Sequence, residues 1–133
     1  MPGKTNLEEI LKTLQPQLHK GKYVFCTVLP SQTIVMDEVV MQFREAEGTT
    51  LILRKETADR IRLSYSFIAA WITLTVHSSL EAVGLTAAFS SALAAEGISC
   101  NVVAGYHHDH LFVSWKDAER AMAVLSKLSA QIV

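Results

Sequence analysis

A short polar segment at residues 106–110 has residue types that could bind a metal. It reads YHHDH and brings three imidazoles and one carboxylate close together. Imidazole nitrogens and carboxylate oxygens are common ligands of transition metals. In a strand, however, alternate side chains point to opposite faces, which puts His108 and His110 on one side and His107 and Asp109 on the other. No further His or Cys stands at a known metal spacing. The segment therefore favours a polar, solvated hairpin turn, and we predict no metal and no cofactor.

The two cysteines are the other reactive groups in the sequence. Cys26 and Cys100 each lie in an apolar, strand-like segment, where a cysteine is more often an inert core residue than a nucleophile. Cys100 with a nearby histidine could still form a nucleophile–base pair. The cysteine spacing suggests neither a metal site nor a disulfide framework. We predict no catalytic residue, and an enzyme that uses the histidines or a cysteine is the least favoured alternative.

Residues 76–89, VHSSLEAVGLTAAF, form a polar corner between an apolar run and an amphipathic helix. A helix start carries unpaired N–H groups and a partial positive charge, which favour a carboxylate. Gly84 stands where the helix begins and lets a ligand approach the main chain closely. His77, Ser78 and Ser79 could contact an amino group or a ligand side chain. The same residues also fit a packing glycine and a serine cap without any ligand.

Hydrophobic periodicity predicts the helices and strands that position this corner. Apolar residues at helical spacing, continuing to Leu18, predict an N-terminal helix that Pro16 ends or bends near Leu14. β-branched and apolar runs predict strands at 23–29, 50–53, 67–76, 98–105 and 111–115, with an extra strand at VVMQF (39–43). The remaining helical stretches are 55–61, 83–96 closed by Gly97, and 116–130 capped by Ser114.

The two halves of the chain follow one plan. LILRKETADRI (51–61) aligns with LFVSWKDAERA (111–121) at an offset of 111 − 51 = 60, while Cys26 and Cys100 lie 100 − 26 = 74 apart. The difference, 74 − 60 = 14 residues, is an insertion inside 30–48 of the first half. We therefore predict an internal duplication with halves at 1–66 and 67–133. The fold class is α+β, with two ferredoxin-like, βαββαβ-type halves in tandem, antiparallel sheets and helices on one face.

The second half resembles an ACT domain, a ligand-sensing module of ferredoxin-like fold. Gly84-Leu85 matches the glycine turn at the helix start in that family, and Gly97-Ile98 matches the helix end. The resemblance covers residues 67–128 well and 5–66 weakly. SLEAVGLTAA, GISCNVVAG and HDHLFV resemble a small bacterial family of stand-alone tandem ACT-like proteins.

This resemblance implies a non-catalytic module that binds a small amino acid and regulates a partner enzyme. The ligand-binding residues it implies are His77, Ser78, Ser79, Val83, Gly84, Leu85 and Asn101. Many ACT domains have an acidic or amide residue and a proline just before the glycine, where this chain has Ala82 and Val83. The first half has no matching glycine turn, so we expect at most one site per chain.

Composition and charge argue against several other classes of protein. The formal net charge is −1, which offers no electrostatic footprint for nucleic acid. No apolar run reaches the length that spans a bilayer, and the N-terminus lacks the apolar centre of a signal peptide, so we expect a soluble cytoplasmic protein. Exposed sheet edges and an Ala/Ser-rich helix predict a homodimer. The main alternative is a structural or dimerisation module without a small-molecule ligand.

Overall fold

The computed structural model describes residues 7–30, 32, 34–75 and 84–130 of the 133-residue chain. Its helices and strands are α1 (Leu7–Lys12), β1 (Gln15–Leu18), β2 (Tyr23–Val28), β3 (Val39–Glu45), β4 (Gly48–Arg54), α2 (Lys55–Arg60), β5 (Ile68–Thr75), α3 (Leu85–Ala95), β6 (Asn101–Ala104), β7 (Asp109–Ser114) and α4 (Ala118–Ala130). The pairs β1–β5, β2–β4, β2–β5, β3–β4 and β6–β7 are all antiparallel. These elements confirm the predicted α+β class.

Contacts within the chain define two compact units. Unit 1 comprises Met1–His19 and Trp71–Val133, and unit 2 comprises Lys20–Ala70. The N-terminal helix therefore belongs to the same unit as the second half of the sequence. These units follow packing, whereas the predicted division at 66/67 follows the sequence repeat, and that division stays a prediction.

Unit 1 combines a small antiparallel sheet with three helices. β1 pairs with the second part of β5, from Gln15↔Thr75 to Leu18↔Ile72, and β5 neighbours β7, which in turn pairs with β6. Apolar side chains from α1, β5, α3, β7 and α4 form its core. Each one that is fully buried stabilises the fold by about 1.5–3 kcal/mol. The largest of these core residues are Ile10, Ile72, Leu74, Phe89, Leu93, Leu111, Phe112 and Leu125.

Unit 2 is a smaller sheet covered by one short helix. Its strand order is β3–β4–β2–β5, and β2 meets β5 only at Tyr23↔Ala69 and Val24↔Ile68. The alternate residues Val24, Cys26 and Val28 of β2 point into one core, as the two-residue period of a strand requires. β3 contains the VVMQF segment and confirms the extra strand predicted inside the insertion.

Two local predictions are wrong. The first helix ends at Lys12, close to the predicted end near Leu14, but Leu18, which we had placed at helical spacing, lies in strand β1 with 38% of its surface exposed. Pro16 lacks the N–H that a helix needs and is tolerated in an edge strand, so the residues around it pair with β5 instead of continuing the helix. Ser114 makes no side-chain capping hydrogen bond; a 3-10 turn at Trp115–Asp117 separates it from α4.

Candidate functional site

The predicted binding corner lies partly outside the described residues. His77, Ser78, Ser79 and Val83 belong to the segment 76–83, which the structure does not describe. Gly84, Leu85 and Asn101 are described. The predicted role of the whole set therefore stays a prediction, and the three described residues give its local geometry.

Gly84 occupies the cap position of α3 in a left-handed conformation, with φ of 93°. Its carbonyl oxygen accepts the first helical hydrogen bond from the Ala88 N–H at 2.9 Å. Gly84 provides no side-chain cap, and the first turn of α3 contains no acidic residue. The positive end of this 11-residue helix is therefore not neutralised by its own first turn.

The missing side chain of Gly84 points towards α1. A β-carbon built on Gly84 would lie 3.3 Å from Cδ2 of Leu7. This close contact is with an apolar side chain of unit 1. Glycine is favoured here by the positive φ, and the close packing on Leu7 adds to that preference.

Leu85 and Asn101 have different environments. The Leu85 side chain is buried, so its contribution to a ligand site would come from its backbone N–H. Asn101 is exposed at the start of β6 and pairs with Phe112 of β7. Its Nδ2 donates to the Phe112 carbonyl oxygen across a long 3.4 Å. Through this bond Asn101 satisfies a local backbone group without any ligand.

A polar cluster that the sequence analysis missed lies in unit 1, and we call it the His19–His110 cluster: His19, Trp71, Thr73 and His110. The His19 Nε2 and Thr73 Oγ1 atoms are 2.7 Å apart, and Thr73 Oγ1 lies 3.0 Å from His110 Nδ1. The indole Nε1 of Trp71 donates to the same Nδ1 at 3.1 Å. His110 is thus no part of a solvated turn, in contrast to the prediction for residues 106–110.

The Trp71 donor determines which nitrogen of His110 is the acceptor. An indole N–H can only donate, so Nδ1 of His110 is an acceptor and carries no proton. If the Thr73 hydroxyl donated to His19 instead of His110, its oxygen would face Nδ1 at 3.0 Å with no proton between them. With its hydroxyl proton turned to His110, Thr73 shares the single Nδ1 lone pair with Trp71, and its oxygen accepts from His19 in the tautomer that carries the proton on Nε2.

Burial reinforces the neutral state of His110. Burial is the main cause that lowers the pKa of His110, followed by the charge of His108, while Asp109 acts in the opposite direction. Burial also raises the pKa of Asp109, and the charge of His110 partly offsets that rise.

Within residues 7–30, 32, 34–75 and 84–130, no three His, Cys, Asp or Glu side chains group closely enough to hold a metal ion.

The cysteine environments do not favour nucleophilic chemistry. Cys26 is buried and Cys100 is half-buried, and both are free thiols. Burial raises the pKa of Cys26, and it raises the pKa of Cys100 to about 11. Since the thiolate is the nucleophile, both groups are largely unreactive near neutral pH.

Unit 2 contains an open groove of about 560 Å³ beside β2. Strand β2 has β5 as a neighbour only at Tyr23 and Val24, so the groove opens where that pairing stops. Nearby, Tyr65 donates to the Asp59 carboxylate at 2.6 Å, and Lys55 binds the same carboxylate at 2.9 Å. The groove is lined by Phe25, Cys26, Thr27, Thr50, Ser64, Tyr65 and Ser66.

Comparison with protein families defines the class of the molecule. One ACT domain model matches residues 2–70 and a second ACT domain model matches residues 66–127. The chain belongs to the ACT domain family and carries two such domains in tandem. This confirms the predicted resemblance and the predicted pair of ferredoxin-like halves.

Solved structures extend the comparison. A Vibrio cholerae protein of unknown function, described as a possible transport protein, is 47% identical, with a TM-score of 0.82 over 92% of this chain and 95% of that one. An Agobacterium tumefaciens protein is 19% identical, with a TM-score of 0.64 over 87% and 89% of the two chains. The ligand-free regulatory subunit of aspartate kinase from Thermus thermophilus is 11% identical, with a TM-score of 0.59 over 86% and 95%.

No curated protein matches the sequence. In the part of the chain that the structure describes, no helix combines the length and the apolar character needed to cross a membrane.

Proposed function

We propose that this ACT-domain protein is a non-catalytic regulatory module that binds a small amino acid at the start of α3. Regulatory binding of a small ligand is the function class that membership of the ACT family supports. The location of this binding site is argued from the start of α3. Gly84 gives this helix a start with no side-chain cap and no acidic residue, which suits a ligand carboxylate.

Each predicted residue has a role in this proposal. The backbone N–H groups that follow Gly84, including that of Leu85, would bind the ligand carboxylate. His77, Ser78 and Ser79 would contact its amino group or side chain, and Val83 would line the site through its backbone. Asn101 would complete the site by exchanging its long bond to Phe112 for a ligand contact.

The partners in the proposal are a second copy of the chain and a regulated enzyme in the cytoplasm. The aspartate kinase regulatory subunit shares the fold and supports an enzyme partner without naming it. We propose no nucleic-acid partner, because the net charge is −1, and no membrane partner.

A second candidate function is an assembly module without a small ligand. Packing of Gly84 on Leu7 favours it, because that contact explains the glycine by structure alone. An enzyme that uses Cys100 is disfavoured by its raised pKa of about 11.

A thermal-shift panel separates the two candidates. The full chain would be heated with each common amino acid at millimolar concentration, and with the matching amino-acid amide as control. A ligand at 100 times its dissociation constant stabilises by about 2.7 kcal/mol, which raises Tm by several degrees. The amide lacks the carboxylate and should have no effect. If no amino acid raises Tm, the assembly module replaces the proposed function.

A further inference from the structure

The groove of unit 2 lies where two neighbouring strands of its sheet separate. The antiparallel ladder of β2 and β5 ends at the pair Val24↔Ile68. In an unbroken ladder of this register, Cys26 and Thr27 would stand opposite Ser66 and Tyr65. These four residues instead line the groove of about 560 Å³. The groove therefore separates two stretches of main chain that would otherwise pair.

The directions of the side chains explain why the ladder stops. Directly opposite residues place their side chains on the same face of a sheet, so pairing with Cys26 would bring Ser66 onto the core face. The structure instead packs Leu63 and Tyr65 against the core and leaves Ser64 and Ser66 exposed. Continuing the ladder would bury the two serines and turn Tyr65 outward. The separation of the strands is therefore a stable feature of unit 2.

Two further contacts hold residues 63–66 on α2. The Tyr65 hydroxyl donates to the Asp59 carboxylate at 2.6 Å, and the Lys55 ammonium donates to the same carboxylate at 2.9 Å. The Leu63 N–H donates to the Ala58 carbonyl oxygen of α2 at 2.9 Å. The segment is thus fixed by its own contacts, and the groove is formed before a ligand binds.

The groove offers hydrogen-bonding groups without a charge. Among the described residues, those that line it carry aromatic rings, hydroxyl groups or, at Cys26, a thiol, and none carries an ionised side chain. Thr27, Ser64 and Ser66 are exposed, so their hydroxyls can reach a ligand. A charged ligand group would lose its water here without gaining an opposite charge. The groove therefore favours an uncharged ligand, in contrast to the start of α3.

We propose that this groove binds a short, uncharged peptide segment, which lies extended between β2 and residues 64–66. An extended main chain carries N–H and C=O groups on both of its edges, so it can bond to both stretches of main chain at once. A smaller neutral molecule would leave one of them without a partner. Strand addition of this kind is a general mode of peptide recognition. The proposal is independent of the amino-acid site at α3.

The size of the groove agrees with a peptide of about three residues. Three extended residues span roughly 10 Å, which is the length of segment 64–66 if it were a strand. A volume of about 560 Å³ also falls within the range of small-ligand sites. An acetylated and amidated Thr-Val-Thr peptide is a suitable probe, because it is uncharged and its β-branched residues favour an extended chain.

A nuclear magnetic resonance titration of the isotope-labelled full chain with this probe tests the proposal. We expect saturable shifts of the amide signals of Cys26, Thr27 and residues 64–66. The control is the same peptide with its valine nitrogen methylated, which removes one main-chain donor. We expect the control to bind about tenfold more weakly, as the loss of one hydrogen bond predicts.

A matched pair of variants tests the location of the site. Ser66→Phe fills the groove from an exposed position and should weaken binding of the probe by at least about tenfold. Ser126→Phe, at an exposed position in unit 1, is the control and should bind like wild type. Circular dichroism would show that both variants are folded. The proposal would be overturned by no saturable shifts, by shifts on only one side of the groove, by equal binding of the methylated peptide, or by an S66F protein that binds normally.

Discussion

The imidazole of His19 lies flat on the indole of Trp71, with ring centroids 3.6 Å apart and planes within 8°. The same two residues are joined through the backbone, since the His19 N–H donates to the Trp71 carbonyl oxygen at 2.9 Å. His19 and Trp71 are also the residues at which unit 1 ends and resumes along the chain. Stacking and hydrogen bonding therefore hold the two segments of unit 1 together at this point.

Stability should fall in mild acid because of His110. Burial lowers the pKa of His110 in the folded protein, so the unfolded chain, with an ordinary pKa of about 6.5, binds the proton more readily. The contribution of His110 is therefore fully present above about pH 6.5 and is lost as pH falls through the lowered folded pKa. His110→Asn keeps an acceptor for Trp71 without titrating. Urea unfolding should show a steeper loss between pH 7 and 5 in wild type, by at most about 1.4 kcal/mol per pH unit; equal slopes would contradict this assignment.

The buried hydroxyl of Thr73 should stabilise the folded protein by more than its packing alone. Thr73 is 6% exposed and bridges His19 to His110. Thr73→Val keeps the shape but removes the hydroxyl that contacts both His19 and His110, so we expect a loss of about 1–3 kcal/mol in the free energy of unfolding. Thr73→Ser keeps the hydroxyl and should lose less. A T73V protein as stable as wild type would show that the hydroxyl bridge contributes nothing.

The energetic coupling of His19 and His110 should depend on Thr73. The two imidazoles are linked through the Thr73 hydroxyl, so a double-mutant cycle of His19→Ala and His110→Ala should give a coupling of about 0.5–3 kcal/mol. Repeating the cycle in the T73V background should reduce this coupling towards zero. A coupling that persists in that background would mean that the histidines interact by another route, such as the ring contacts of Trp71.

Sequence periodicity predicts much of the fold. It does not predict the His19–His110 cluster, which depends on long-range strand pairing. Alternation on β5 already places Trp71 and Thr73 on one face. The sequence analysis assigned His110 to a turn and continued the helical pattern to Leu18, so His19 had no strand to bring it to Trp71. Pairing of β1 with β5 is a long-range contact that no local pattern encodes. Pro16 already ended or bent the predicted helix near Leu14, but no local pattern predicted that residues 15–18 form an edge strand.

The cysteines should react slowly in the folded protein. At pH 8 a thiol with a pKa of about 11, as for Cys100, is a thiolate in roughly one molecule in a thousand. Cys26 is buried as well. A chromogenic disulfide reagent should therefore label Cys100 slowly and Cys26 more slowly still, and both quickly in urea. Rapid labelling of folded Cys100 would reopen the nucleophile alternative.

The central claim is that the start of α3 binds an amino acid through its carboxylate, and calorimetry on a matched pair of glycine variants tests it most directly. Gly84 and Gly97 lie at the two ends of α3 and both have positive φ, at 93° and 72°. Alanine at either position incurs similar backbone strain, of about 1–2 kcal/mol. Only Gly84→Ala also meets Leu7, because a β-carbon on Gly97 has nothing within 4 Å.

Titration of both variants with the amino acid that most stabilises wild type then gives the answer. Circular dichroism would first establish that both variants are folded. G84A displaces the N–H groups at the helix start, so the account predicts binding at least about tenfold weaker, a loss of about 1.4 kcal/mol, while G97A binds like wild type. A folded G84A that binds with the wild-type Kd would contradict the account and place the ligand elsewhere in the molecule.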